Sequence, residues 1–104
     1  MPETPDPLHL VLLDFADTSR APEHMAAHNR WIDEGFDSGG FLLAGSVPGR
    51  GGAVLIAGAD EQQVAAQVAA DPFVRHGVVT SQVLQIAPSR IADALRDASS
   101  AATS

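Results

Sequence analysis

The feature that most constrains the fold is a pair of strands that are apolar on both faces. The segment Leu8–Phe15, LHLVLLDF, has leucine at its first three even positions and valine, leucine or phenylalanine at three of its odd positions. The segment Ala53–Ala57, AVLIA, also has apolar residues at both its odd and its even positions. Because successive side chains of a strand point to opposite faces, a sheet that contains these strands must be covered on both sides.

The segments predicted to be regular structure follow the order β-α-β-β-α-β. They are a strand at Leu8–Phe15, a helix from Ala21 to Asp33 or Phe36, strands at Phe41–Val47 and Ala53–Ala57, a helix between Asp60 and Asp71, and a strand at Val78–Ile86. This order is that of the ferredoxin-like fold, an α+β arrangement of a four-stranded antiparallel sheet with two helices on one face. We expect a single domain over residues 1–104, with its core at about 8–91, a short helix at Arg90–Arg96, and loose termini at 1–7 and 98–104.

Turn and cap residues mark the boundaries between these elements. Pro48–Gly52, PGRGG, is rich in glycine and predicts a hairpin loop with positive φ angles. Asp60 and Gln63 have the spacing of a capping box. Asp71, followed by Pro72, predicts the end of the second helix and the N-cap of a new short helix.

Two helices cover only one face of the predicted sheet, which leaves the second apolar face exposed. A large exposed apolar surface is typical of a site of association. Packing two sheets face to face is the simplest way to cover it. The sequence therefore predicts a homodimer.

Charge and composition argue against several classes of protein. The formal net charge is −7, and the six basic residues are arginines spread from position 20 to position 96. Nucleic-acid and anionic-membrane binding depend on clustered positive charge, so neither partner is expected. The chain has no cysteine, which excludes disulfides and thiolate chemistry. It lacks the basic start of a signal peptide and an apolar run long enough to span a bilayer, so we expect a cytoplasmic protein.

His28 is the first candidate for chemistry. Trp31 and Ile32 follow it by three and four residues, which places its ring on the apolar face of the first helix. A histidine beside an apolar wall can act as a general acid or base, and the alternative is a half-buried histidine that bonds to a backbone carbonyl. His24, one turn earlier, could form a metal pair with it, but HMAAH lacks the glutamate of an HExxH motif and a third ligand. No metal is therefore expected.

Asp71 is the second candidate. As an N-cap its carboxylate would use one oxygen for the helix, and the other oxygen would be free to orient an imidazole. Its role is then either capping alone or capping combined with support of His28. Asp14, at the end of the first strand, is a weaker alternative partner for His28.

Several short motifs occur in an order that resembles the YCII-related (YciI-like) protein family. They are His28, Gly39–Gly45 (GGFLLAG), Pro48 with Gly51–Ala57 (GGAVLIA), and Ala70–Val74 (ADPFV). The resemblance covers about residues 8–91. Two positions depart from the family pattern: Met25 stands where an arginine is frequent, and Ser46 where a proline is frequent.

The resemblance implies a dimeric α+β barrel of ferredoxin-like subunits, with the family's His–Asp pair at His28 and Asp71. It also implies lyase, isomerase or dehydrochlorinase-like chemistry on a small cyclic or aromatic-derived compound. We expect that compound to contact Trp31, Ser46 and Phe73 in a pocket between the first helix and the sheet, and we expect no cofactor, because proton transfer needs none. The alternative is a non-catalytic dimeric module that binds a small ligand or a protein, in which the His–Asp pair is structural.

Overall fold

A four-stranded sheet with helices on one face forms the body of the chain. The computed structural model describes residues 6–38 and 40–95. Its elements are β1 (Leu8–Phe15), a 3-10 helix (Thr18–Arg20), α1 (Ala21–Asp37), β2 (Phe41–Val47), β3 (Gly51–Ile56), α2 (Glu61–Ala69), α3 (Pro72–Arg75) and β4 (Val79–Ile86). Neighbouring strands are antiparallel and stand in the order β2-β3-β1-β4. The predicted α+β, ferredoxin-like fold is therefore confirmed.

Helix α1 begins with a proline in its first turn and ends at Asp37, one residue beyond the longer predicted limit. Pro22 is tolerated there because the first N–H groups of a helix have no partner within it. Gly35 is buried near the other end, and a Cβ atom at this position would overlap the ring of Phe41. Glycine therefore allows the first residue of β2 to pack directly against α1.

The hairpin between β2 and β3 is shorter than the sequence predicts. β3 begins at Gly51, two residues earlier than expected. Gly51 lies opposite Asp14 and Gly52 lies opposite Leu13, so pairing with β1 draws both glycines into the sheet. Gly49, with φ of +79°, makes the turn. The predicted loop at 48–52 is wrong in its second half, because ladder hydrogen bonds outweigh the preference of glycine for turns.

The sheet face beneath the helices forms the hydrophobic core. Alternate residues of β1 and β3 point towards α1 and α2, and the apolar stripe of α2 packs onto them. The buried cluster comprises Val11, Leu13, Trp31, Phe41, Val54, Ile56, Val64, Val68, Phe73, Val78 and Val79. This covered face holds the two longer helices in place.

The outer face of the sheet is apolar as well, and no described element covers it. One row across the four strands consists of Leu43, Leu55, Leu10 and Leu84. The exposed fractions are 51% for Leu43 and 40% for Leu84. The two-sided apolar character expected from the strand sequences is therefore present in the fold.

Both predicted caps are present. The Gln63 N–H donates to Asp60 at 2.8 Å, and the Asp60 N–H donates to the Gln63 side chain at 2.8 Å, which completes a capping box at the start of α2. The Phe73 N–H donates to Asp71 Oδ1 at 3.0 Å at the start of α3. Both caps follow from contacts within four residues, which is why the sequence predicts them.

The C-terminal segment is described only in part. Of the helix predicted at Arg90–Arg96, residues 93–95 are helical, and position 96 lies outside the described residues. Most of the predicted loose termini, at 1–5 and 98–104, also lies outside them. Across residues 6–38 and 40–95, no helix combines the length and the hydrophobicity needed to cross a bilayer. The expected cytoplasmic location stays a prediction.

Candidate active site

His28 and Asp71, the two residues proposed as a pair, are in contact. His28 Nδ1 lies 2.7 Å from Asp71 Oδ1. Because an ionised carboxylate only accepts hydrogen bonds, the proton of this bond belongs to Nδ1. Nε2 then has no hydrogen-bond partner among the described residues. An imidazole held in this way presents its unprotonated nitrogen to an incoming molecule.

Asp71 is fully buried, with an exposed side-chain fraction of 0%. Its Oδ1 atom accepts from both His28 and the Phe73 N–H, whereas Oδ2 is buried without a partner in the described part of the chain. A buried carboxylate is costly unless it is paired and hydrogen-bonded. The cap bond alone leaves its charge poorly compensated, so the imidazole of His28 is the group that stabilises it.

Two aromatic rings support the imidazole of His28. Phe73 stacks on it, with ring centroids 4.0 Å apart and an interplanar angle of 6°. Trp31 lies further away, with centroids 5.9 Å apart, and its Nε1–H donates to the Gln67 carbonyl oxygen at 2.8 Å. The Trp31 ring also meets Phe41 edge-on. Trp31 is therefore a core residue that supports His28 from the protein interior.

A cavity of about 370 Å³ opens beside His28, between α1 and the sheet. Its lining residues are Leu13, Phe15, Met25, His28, Asn29, Ile32, Phe36, Ala44, Gly45, Ser46, Gly51, Gly52, Ala53, Val54, Phe73 and Val79. His28 is the one ionisable residue among them, and its side chain is 12% exposed. The cavity is thus an apolar chamber with an imidazole on its wall and the side chains of Asn29 and Ser46 as further polar groups.

The structure brings together three of the five predicted site residues at the cavity wall. His28, Ser46 and Phe73 line it, Asp71 supports His28 from behind, and Trp31 lies in the core outside the lining.

Asp14 does not reach the imidazole. It lies on the outer face of β1, where the Arg50 guanidinium donates to both of its oxygens at 2.7 and 2.9 Å. The Arg50 hydrogen bonds hold the pKa of Asp14 below its ordinary value.

The predicted site omitted most of the α1 wall of the cavity. Met25, Asn29, Ile32 and Phe36 line it from this helix. Their spacing of four, three and four residues is that of one helical face, so the signal is present in the sequence. This periodic signal is weak because Asn29 is polar. The large apolar side chain of Trp31, on the adjacent and more deeply buried face, gives a stronger signal.

His24 and His28 do not converge on a common point. His24 stacks on His76, with centroids 4.0 Å apart, while His28 bonds to Asp71. In the described ranges no three His, Asp or Glu side chains come together as a potential metal site. The two histidines therefore have separate partners.

A second depression, of about 390 Å³, lies beside His9 at the other end of the sheet. His9 is 1% exposed, and both of its ring nitrogens are buried without a partner among the described residues. A molecule from solvent cannot reach those nitrogens without a rearrangement. The cavity beside His28 is therefore the better candidate for chemistry.

Comparisons with known proteins agree with this architecture. A solved structure of 5-chloro-2-hydroxyhydroquinone dehydrochlorinase (TftG) from Burkholderia phenoliruptrix AC1100, in complex with 2,5-dihydroxybenzoquinone, is similar with a TM-score of 0.65. The identity is 17%, over 74% of this chain and 90% of the other, so this likeness concerns the fold. No curated protein matches the chain in sequence.

The family of the chain is identified from its sequence. The profile of the YCII-related domain matches residues 4–86, which is most of the chain. The match includes His28, the hairpin glycines and Asp71, on which the resemblance was based. The chain therefore belongs to the family of YCII-related domains.

Proposed function

We propose that this protein is a small enzyme that moves a proton on a cyclic compound bound in the cavity beside His28. The observation that carries the proposal is the 2.7 Å contact between His28 and a fully buried Asp71, on the wall of an open apolar chamber. A histidine needed only for packing would be a costly choice there, because both ring nitrogens require partners when buried. Here one nitrogen has a partner and the ring reaches the cavity.

The lining favours an uncharged or phenolic substrate. Among the residues that the structure describes, no arginine contributes to the cavity wall, so a carboxylate or phosphate would lack a countercharge there. The polar contacts available are the Ser46 hydroxyl, the Asn29 amide and the imidazole of His28. The volume of about 370 Å³ falls within the range of small-molecule sites. The structurally similar dehydrochlorinase was solved with a hydroxyquinone, which is a small cyclic compound.

In the proposed reaction, Nε2 of His28 removes a proton from a carbon or hydroxyl of the bound compound. Asp71 stabilises the resulting imidazolium across the Nδ1–H bond. The electron pair left behind either shifts within the ring or expels a leaving group such as chloride. In an isomerisation the imidazolium returns the proton to another atom of the same molecule. Asn29 and Ser46 would donate to an oxygen on which negative charge develops.

The proposal is tested by turnover of a panel of hydroxyquinones, chlorohydroquinones and small lactones, followed by absorbance and NMR. We expect at least one class to be converted, and we expect His28→Gln to lower kcat/KM by roughly 10²-fold or more. Asp60→Asn, a change at an exposed cap far from the cavity, is the matched control and should leave the rate unchanged. A His28→Gln variant with the wild-type rate would contradict the proposal.

The second candidate is a non-catalytic ligand-binding module. The observation that favours it is the cap bond of Asp71, which gives the carboxylate a structural task independent of any reaction. This candidate predicts that compounds from the same panel bind in the cavity, and shift the Phe73 ring signals, without being converted. Binding without turnover across the panel would favour it over the enzyme.

We also propose that a second copy of the chain covers the outer face of the sheet. In the leucine row on this face, Leu84 is 40% exposed and Leu43 is 51% exposed. Ile86, on the same face, is 41% exposed. A face of this kind packs well against its own copy because the apolar row is continuous across all four strands. Light scattering should give about twice the chain mass of 10.8 kDa.

Two neighbouring residues of β4 offer a matched test of this dimer. Leu84 and Val83 are each 40% exposed, but Leu84 lies opposite Leu10 on the outer face and Val83 opposite Val11 on the covered face. Leu84→Glu should dissociate the dimer, since it would bury a charge in an apolar interface, and Val83→Glu should not. A monomeric wild type, or equal behaviour of the two variants, would contradict the proposed interface.

A further inference from the structure

Helices α1 and α3 meet through two stacked ring pairs that lie one helical turn apart. His28 stacks on Phe73, and His24 stacks on His76 with centroids 4.0 Å apart and an interplanar angle of 5°. His24 precedes His28 by four residues on α1, and His76, the C-cap of α3, follows Phe73 by three. The His24–His76 pair therefore borders the candidate site without lining its cavity.

Helix α3 has one turn, and besides the burial of Phe73 in the core it has a ring contact with α1 at each of its two ends. At the N-terminal end Asp71 bonds to His28, and Phe73 packs on the same ring. At the C-terminal end His76 packs on His24. A helix of four residues has little stability of its own. Separation at the C-terminal end would therefore move the groups that contact His28.

Two arginines and a glutamate lie near the His24–His76 stack, whose His76 is exposed to solvent. Arg20 Nη1 donates to the His76 carbonyl oxygen at 3.2 Å, and Arg75 precedes His76 in the chain. Partial desolvation lowers the pKa of His76 below its ordinary value of 6.5, and nearby positive charges lower it further. Those charges are the proton that His24 can carry and the guanidinium groups of Arg20 and Arg75, while Glu23 acts in the opposite direction. Charged groups thus face His76 from α1, from α3 and from the 3-10 helix.

The buried nitrogen of His24 also favours an uncharged stack. His24 Nε2 is buried and has no hydrogen-bond partner in residues 6–38 and 40–95. A neutral imidazole can leave this nitrogen unprotonated, whereas an imidazolium would bury a donor without an acceptor. Two imidazolium rings stacked on each other would in addition repel. The contact between the helices is therefore suited to neutral rings.

We propose that His24 and His76 are positioning residues whose uncharged stack holds α3 against α1. A proton on the stack separates the two helices, and the contacts of Asp71 and Phe73 with His28 loosen. The claim that the stack positions α3 rests on the two ring pairs. The expected consequence, that the enzyme loses activity as the pH falls below neutrality, rests on the proposed function.

The test follows the backbone amide of Phe73 by NMR from about pH 8 to about pH 5, the range in which histidines titrate. This N–H donates to Asp71 and carries no titrating proton itself. In the wild type its signal should shift in a step. The double variant His24→Phe/His76→Phe keeps two flat rings but binds no proton at these positions, so the step should become much smaller, and any remainder belongs to His28.

Two further variants identify the group that causes the step. His28→Gln removes the other imidazole near Phe73 and should retain the step. Arg75→Gln removes a neighbouring positive charge and should move the step to higher pH. A step that vanishes in His28→Gln and survives in the double variant would overturn the proposal, as would a wild-type signal that does not change. Since no substrate is used, failure to find turnover bears on the proposed function alone.

Discussion

Helices α2 and α3 each begin at an aspartate N-cap, and the two caps differ in what else they bond. Asp60 caps α2 at the surface, where its side chain accepts from the Gln63 N–H. Asp71 caps α3 in the interior, where the same oxygen accepts from the Phe73 N–H and from His28. The first cap is exposed and the second is fully buried.

Burial gives the same local motif a second role. The unused lone pairs of an exposed cap are solvated by water, so the cap needs no further partner. A buried carboxylate loses that solvation and must be compensated by a protein group. The imidazole of His28 is that group for Asp71, and the pair is oriented towards a cavity as a result.

The largest expected effect is on stability, in alanine variants of the two caps. Asp71→Ala removes the cap bond and leaves His28 Nδ1 without an acceptor, so it should lower the free energy of unfolding by about 2–4 kcal/mol. Asp60→Ala should cost about 1 kcal/mol, as expected for an exposed cap. Urea denaturation followed by the fluorescence of the single tryptophan measures both. Equal losses would mean that burial gives Asp71 no additional role.

A smaller effect is expected from asparagine variants, which retain the caps. Asparagine caps a helix about as well as aspartate. Asp71→Asn should therefore lower the free energy of unfolding by at most about 1 kcal/mol more than Asp60→Asn does. The amide can donate as well as accept, so it no longer requires a proton on His28 Nδ1.

Nitrogen NMR of neutral His28 should therefore show the Nδ1–H tautomer in the wild type and in Asp60→Asn, and a mixture in Asp71→Asn. An unchanged tautomer in Asp71→Asn would assign Asp71 to capping alone.

The smallest effect concerns a third cap, Asp17, at the start of the 3-10 helix. The Ser19 hydroxyl and the Ser19 N–H hold the pKa of Asp17 below its ordinary value of 3.8. Because folding lowers the pKa of this carboxyl, its ionised form stabilises the folded state at pH values above the ordinary pKa. This stabilisation is lost as the pH falls through the folded pKa.

Asp17→Asn should therefore flatten the pH dependence of the unfolding free energy slightly in the acidic range. Urea denaturation from about pH 5 to about pH 3 measures it. A variant with the same slope as the wild type would show that this exposed cap contributes nothing.

The parts of the fold that the sequence predicts are those decided by near neighbours. The caps at Asp60 and Asp71 depend on bonds within three residues, and the strand Leu8–Phe15 depends on a run of apolar side chains. Both are found where they were expected. The start of β3 was missed because Gly51 pairs with a strand 37 positions earlier, at Asp14, and no local signal reports that pairing.

The candidate site divides in the same way. Helical periodicity places His28 on an inward face of α1 and the Asp-Pro pair predicts that Asp71 begins a helix, while family resemblance joins the two residues. From the residues alone Asp14 was also open as a partner, and only the register of β1 excludes it, because alternation directs its side chain to the outer face towards Arg50. Tertiary structure decided which carboxylate meets the imidazole, because burial and strand register depend on parts of the chain that are distant in sequence.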